Sequence, residues 1–248
     1  MKNKVILITG GTSGLGAATA KTLASLGAKI VFCGRREKEG LAMQQAIASQ
    51  QGEATFVQAD VTNEAQVARV VDTAIKQYGR LDAAFNNAGA NLYFGSVANT
   101  TAAQFTETIQ VNLTGTFYAL KHELQAMQAG GGSILNTAST AGVKGVGKGI
   151  AAYVAAKHGV IGLTKAAALE YAAQQVRVNA LVISAVATAQ WLAGVSKTPG
   201  MQEKIAAAMP LGRIATVEEV VPFIGFLLSD NAKMITGAAL AVDGGVTA

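Results

Sequence analysis

Thr9-Gly10-Gly11-Thr12-Ser13-Gly14-Leu15-Gly16 closes an apolar run that begins at Lys4 and opens a helical pattern from Leu15 to Leu26. Strand, glycine turn and helix in that order form a phosphate cradle. Small residues let the backbone approach a pyrophosphate, whose charge is stabilised by free N–H groups and the positive end of the helix. The glycine spacing is G-x-x-x-G-x-G, not the general G-x-G-x-x-G. Position between the first strand and the first helix separates this turn from one that is merely structural.

Outward from the turn, apolar or β-branched runs alternate with longer helical patterns. Strands are expected at Lys4–Thr9, Lys29–Cys33, Ala54–Gln58, Leu81–Phe85, Ser133–Ala138, Arg177–Ile183 and Ala239–Val242. Helices fill the intervals at Leu15–Leu26, Glu37–Gln50, Glu64–Tyr78, Ala102–Gln128, Ala151–Ala173 and Val217–Leu228. Right-handed crossovers put helices on both faces of a mostly parallel seven-stranded sheet, a doubly wound α/β (Rossmann) fold with its ligand crevice at the carboxyl ends of the strands. No linker divides residues 1–248, so one domain is expected. The stretch from Thr188 to about Leu211 has weak periodicity, with Trp191, Gly194, Pro199 and Gly200, and reads as an irregular lid over the strand ends.

Half the residues are hydrophobic, yet Val220 to Leu228 is too short to span a bilayer and contains Pro222. No membrane association is expected. Met1-Lys2-Asn3-Lys4 passes straight into the first strand without a signal peptide's apolar segment, which points to the cytoplasm. The single cysteine, Cys33, lies in an apolar run and reads as a buried structural thiol. The net charge of +5 comes from scattered Lys and Arg residues, a pattern that favours anionic ligands over nucleic acid. His122 and His158 have no matched ligands, so no metal is expected.

At the end of the second strand, where an NAD enzyme usually carries an acid for the ribose hydroxyls, the chain reads Gly34-Arg35-Arg36. Nothing there repels a 2′-phosphate, and two guanidiniums can pair with it, which favours NADP(H) over NAD(H). One of the two arginines can equally solvate the start of the next helix. Further on, Tyr153-Val154-Ala155-Ala156-Lys157 sets a phenol and an ammonium at i, i+4 on one helix face. A neighbouring cation lowers a phenol's pKa from about 10 and makes it a usable acid/base. Ser139 ends the fifth strand, placed to donate to a substrate carbonyl oxygen and orient it toward Tyr153. Asn112 is a poor helix former among apolar neighbours, which calls for a reason beyond the helix.

The glycine turn and the Tyr-x-x-x-Lys pair, in this order, resemble the short-chain dehydrogenase/reductase family. Asp60-Val61, Asn86-Asn87-Ala88-Gly89, Pro210-Leu211-Gly212-Arg213 and Val242-Asp243-Gly244-Gly245 continue the resemblance over nearly the whole chain. It implies that Gly10, Thr12, Ser13, Gly14, Leu15 and Gly16 hold the cofactor pyrophosphate and that Asp60 and Val61 meet the adenine. Asn87, Ala88 and Gly89 would adjoin the adenosine ribose, Tyr153 and Lys157 the nicotinamide ribose, and Val186 and Thr188 the carboxamide. Asn112 would hold a water linking Lys157 to solvent, the plainer alternative being a buried amide bonded to the backbone. The sequence departs from many relatives after the sixth strand, where Pro-Gly is replaced within Val182-Ile183-Ser184-Ala185-Val186-Ala187-Thr188.

The expected activity is hydride transfer between nicotinamide and a carbonyl or secondary alcohol carbon, by a ketone reductase, an alcohol dehydrogenase or a 3-oxoacyl reductase-like enzyme, the pocket residues leaving ketones, sugars, steroids and carrier-bound 3-oxoacyl groups open. A cofactor-binding redox sensor without turnover is the alternative. The small-molecule pocket would be formed by residues 90–97, 141–150 and 188–209, with Tyr93, Phe94, Lys144, Lys148 and Trp191 as its features. Apolar and alanine surface running around the helices near 102–128 and 151–173 points to a homotetramer.

Overall fold

The computed structural model describes residues 1–147 and 149–248. Seven strands run in the order β3-β2-β1-β4-β5-β6-β7. They are β1 (Val5–Thr9), β2 (Lys29–Gly34), β3 (Glu53–Gln58), β4 (Ala83–Asn86), β5 (Gly132–Thr137), β6 (Val176–Ile183) and β7 (Ala239–Val242), and every neighbouring pair is parallel. The order reverses between β1 and β4. Thr9 and Asn86 are register partners there, so both chains leave the sheet side by side and open a crevice at its carboxyl edge.

Alternation along each strand feeds two helical layers. Ile6, Ile8, Ile30, Phe32 and Phe85 face one side, packed on α1 (Gly14–Ser25), α2 (Glu37–Ala48) and α9 (Val217–Leu228). Val5, Leu7, Val31, Cys33 and Ile134 face the other, against α3 (Glu64–Tyr78), α5 (Gly115–Met127) and the end of α6 (Ala151–Glu170). Burying each large aliphatic or aromatic side chain contributes roughly 1.5–3 kcal/mol, which is why these strands read as continuous apolar runs.

Two expectations are corrected. The single helix expected at Ala102–Gln128 is instead α4 (Ala102–Ile109), a π turn at Gln110–Thr114 and α5. Asn112 Nδ2 donates to the Thr108 carbonyl at 3.0 Å, in competition with the ordinary backbone bond, and the ladder widens there. The segment expected to be irregular holds two short helices, α7 (Ala189–Val195) and α8 (Met201–Ala207). Thr188 caps α7 by accepting from the Trp191 N–H at 3.2 Å, and neither helix buries a residue. With no apolar face to bury, they leave no periodicity in the sequence. The loop after β6 is fastened to the chain before α9, the Ala187 N–H donating to the Ala215 carbonyl at 2.8 Å. Among the described residues, no helix is long and apolar enough to cross a membrane.

Candidate active site

Gly10 and Gly14 adopt φ of 67° and 55°, where a side chain is strained. A Cβ on Gly16 would stand 2.4 Å from the Gly10 carbonyl oxygen and 2.6 Å from Asn87 Nδ2, so only glycine lets α1 approach its own turn. Thr9 staples the next loop to the turn: its Oγ1 accepts from the Asn87 and Ala88 N–H groups, both at 3.1 Å. Asn87 Nδ2 in turn donates to the Gly10 carbonyl at 3.2 Å. Ser13 is the extended N-cap of α1, Leu15 and Gly16 are buried, and the first turn has no acidic side chain to compensate its free N–H groups. This cradle fits a pyrophosphate.

Around it stand the other expected cofactor residues. A Cβ at Gly34 would come within 2.7 Å of Thr12 Cγ2, so the end of β2 has no room for a carboxylate at that position. Arg36 begins α2 and pairs with Glu39 at 3.5 Å while half exposed; Arg35 is exposed, and its carbonyl accepts from Gln58 Nε2 at 3.0 Å. Asp60 Oδ1 accepts from the Thr62 N–H at 2.9 Å and from its hydroxyl at 2.8 Å, which orients the carboxylate. Val61 packs where a Cβ on Gly115 would lie, 2.9 Å from Val61 Cγ2. Across the crevice, Thr188 Cγ2 stands 3.4 Å from the Cβ position of Gly14, and Val186 is buried beneath the same loop. The loop that lacks Pro-Gly therefore still reaches the glycine turn.

Ser139, Tyr153, Lys157 and Asn112 come together beside this cradle. Ser139 follows β5, and its Oγ accepts from the Ala141 N–H at 3.2 Å, leaving the hydroxyl hydrogen free to donate elsewhere. Lys157 is 2% exposed; its Nζ donates to the Thr137 carbonyl at 2.8 Å and lies 5.6 Å from the centre of the Tyr153 ring. Burial pushes the Lys157 ammonium down to about 8. The sequence expectation that Lys157 lowers the Tyr153 phenol is corrected. Burial raises the phenol above its ordinary value, and the opposing contribution comes from the Ser139 side chain. Gly89 closes the group, since a Cβ there would meet Asn112 Oδ1 at 2.7 Å and Lys157 Nζ at 3.3 Å.

The Asn112 amide is wholly buried and clasps the backbone of Ala90. Its Oδ1 accepts from the Ala90 N–H at 3.0 Å, and its Nδ2 donates to the Ala90 carbonyl at 2.8 Å. With Thr108 taking the second amide hydrogen, the side chain serves the backbone on both flanks. Of the pocket features, Tyr93 donates to Glu107, Phe94 is 78% exposed and Trp191 is half-buried. Lys144 turns away, its Nζ donating to the Val246 carbonyl at 2.5 Å near the end of the chain. Lys148 lies outside the described residues. The loops at 90–97 and 141–150 are joined by the Gly95 N–H donating to the Gly149 carbonyl at 2.8 Å. His122 pairs with Glu64 at 3.3 Å, and His158 Nδ1 lies 2.9 Å from the Val154 carbonyl oxygen.

Two working groups escape a reading of the sequence, the Thr9 hydroxyl and the Thr137 carbonyl, as does the burial of the Glu123 carboxyl beneath the site. Thr9 and Thr137 end strands that carry recognised motifs. Glu123 shares the helical stripe of Leu120, Leu124 and Met127, and that spacing is the signal for its burial.

A family model described as "Enoyl-(Acyl carrier protein) reductase" matches residues 10–247. The chain belongs to the short-chain dehydrogenase/reductases. It is 37% identical, over 100% of its length and 98% of the relative's, to a 2,5-dichloro-2,5-cyclohexadiene-1,4-diol dehydrogenase of Sphingobium indicum. A cyclohexanol dehydrogenase of an Acinetobacter species is 39% identical over 99% of this chain and 95% of its own. The crystal structure of a levodione reductase superposes with a TM-score of 0.94 at 34% identity, covering 99% of this chain and 98% of that one. This short-chain dehydrogenase/reductase is thus a nicotinamide-dependent oxidoreductase acting on CH–OH or C=O groups.

Proposed function

We propose that this enzyme interconverts secondary alcohols and ketones on six-membered carbocycles, using NADP(H) in preference to NAD(H). The observation that carries the reading is the convergence of Ser139, Tyr153 and the buried Lys157 beside the glycine cradle at one end of the sheet. Ring alcohols are suggested by the names of two relatives, the cyclohexanol and cyclohexadiene-diol dehydrogenases. NADP(H) is suggested by Arg35 and Arg36 and by the lack of room for an acid at Gly34.

The cofactor, when bound, supplies or accepts the hydride at the substrate carbon. In the reducing direction Ser139 donates a hydrogen bond to the carbonyl oxygen, and Tyr153 gives that oxygen its proton. In the oxidising direction Tyr153 takes the proton back. Lys157, fixed by the Thr137 carbonyl, keeps two hydrogens for the phenol and the nicotinamide ribose. Gly10, Thr12, Ser13, Gly14, Leu15 and Gly16 hold the pyrophosphate; Asp60, Val61, Asn87, Ala88 and Gly89 hold the adenosine. Val186 and Thr188 meet the carboxamide, with residues 188–211 closing over the substrate. Asn112 keeps Ala90 and Gly89 against Lys157, and only the second lone pair of its Oδ1 remains to receive a relay water.

We place the protein as a homotetramer in which α4, α5 and α6 pair across a two-fold axis, covering Phe105, Phe117 and Leu169, which are 45%, 44% and 83% exposed. The functional reading is tested by supplying cyclohexanol, cyclohexanone and open-chain analogues with each cofactor and following the reduced nicotinamide by absorbance. Turnover that is fastest on the rings with NADP(H) is expected. No turnover with any of them, or a preference for NADH, contradicts it.

A further inference from the structure

Helix α5 carries a carboxyl group into the core. Glu123 has no exposed surface, and its Oε2 accepts from Asn86 Nδ2 at 2.8 Å. The same amide nitrogen donates to Asn136 Oδ1 at 3.0 Å, and Asn136 Nδ2 donates to Thr164 Oγ1 at 2.9 Å. Thr164 completes the run by donating to the Val160 carbonyl at 2.8 Å. Side chains from α5, β4, β5 and α6 are thereby tied together just beneath the site. Asn86 immediately precedes Asn87-Ala88-Gly89, and Asn136 precedes Thr137, whose carbonyl holds Lys157.

Two buried oxygens in this run accept nothing: Glu123 Oε1 and Asn86 Oδ1. They belong to the same acid–amide pair. A proton on Oε1 would supply the missing donor to Asn86 Oδ1 and close the pair into a ring, each group giving one hydrogen bond and taking one. An ionised carboxylate has no such option, and it would leave both oxygens unsatisfied in a dry interior.

The charge environment agrees. Burial pushes the Glu123 carboxyl up to about 8, opposed only by the Asn86 bond. From β2 it faces the Cys33 thiol, itself buried and pushed up to about 12. The strands β4 and β5 and the π turn contribute no ionisable side chain. On α3, Glu64 is taken up by Lys121 and His122, while Arg69, Asp72 and Lys76 are exposed. Lys157 on α6 is directed to Thr137.

We propose that Glu123 is a positioning residue that works as a neutral acid, its ring with Asn86 keeping the ends of β4 and β5 in register for Lys157. The positioning rests on the active-site reading above; the proton on Glu123 does not.

Glu123→Gln reproduces the neutral pair permanently, because its amide nitrogen donates where the carboxyl proton did. The unfolded carboxyl ionises near 4.5 and the folded one near 8, so folding takes up a proton between those values. Native Tm is therefore expected to fall relative to E123Q as pH rises through that window, by several degrees in all, and the gap to level off above it. The native kcat should fall more steeply in alkali than that of E123Q, which keeps only the decline due to Lys157, while E123Q stays near the native value at neutral pH. Parallel Tm curves, or superimposable kcat profiles, overturn the proposal. If E123Q does not fold, infrared spectroscopy of the native enzyme decides. A protonated-carboxyl stretch at neutral pH that vanishes in alkali is expected, and its absence overturns the proposal. Should no substrate turn over, the Tm and infrared measurements still report on the Glu123 proton, so the two failures are distinguishable.

Discussion

At the scale of single residues, the site depends on buried polar groups such as Lys157 and Asn112, whose partners are backbone carbonyls and amides. Lys157 remains in the core because the Thr137 carbonyl accepts a hydrogen bond from its ammonium, and the cost of burying it appears as the lowered pKa. Arg35 and Arg36 are exposed cations, Arg36 in a 3.5 Å pair with Glu39, and the proposed function has them pair with the cofactor 2′-phosphate. Replacing both with Ala is expected to cut the kcat/KM preference for NADPH over NADH by about one to two orders of magnitude, the value of charge-assisted phosphate bonds at about 1.5–3 kcal/mol. An unchanged ratio between the two cofactors removes the arginines from the account. Most of these residues were legible because their chemistry is tied to a spacing: a turn, an i, i+4 pair, a hydroxyl at a strand end. Thr9, Thr137 and Glu123 were not. The first acts partly, and the second wholly, through tertiary hydrogen bonds that leave no pattern along the chain, and Glu123, though on the stripe of Leu120, Leu124 and Met127, adjoins Lys121 and His122, which mask that signal.

At the scale of elements, the β1–turn–α1 unit is the most constrained. Gly16→Ala would drive a methyl group into the Gly10 carbonyl, a backbone atom that cannot swing aside. An overpacking cost of about 1–3 kcal/mol is expected in denaturant unfolding, accompanied by weaker NADP(H) binding in calorimetry. Native-like stability with native-like binding would show that α1 does not need so close an approach. The strands were legible in the sequence because a sheet covered on both faces leaves continuous apolar runs. The π turn at Gln110–Thr114 was not, since the hydrophobic period continues through it and only the Asn112 bond to Thr108 marks the break. Helices α7 and α8 were hidden for the opposite reason, having no buried face to leave a period.

At the scale of the whole molecule, strand order does what no single motif can, by bringing the ends of β1 and β4 together at the switch point and the end of β5 beside them. The same packing leaves Phe105, Phe117 and Leu169 on the outer helices and Met234 96% exposed near β7, the apolar surface that the proposed tetramer would cover. Sedimentation equilibrium at micromolar concentration should give a species four times the 25.2 kDa chain mass, and a single species at the chain mass would exclude the assembly. The central claim is that the assembled crevice transfers a hydride while Tyr153 handles the proton. It is tested most directly by Tyr153→Phe, with turnover of cyclohexanol and NADP(H) affinity measured on one preparation. The account predicts that turnover falls by about two to four orders of magnitude while the cofactor Kd stays near the native value. A variant that keeps near-native turnover would contradict it.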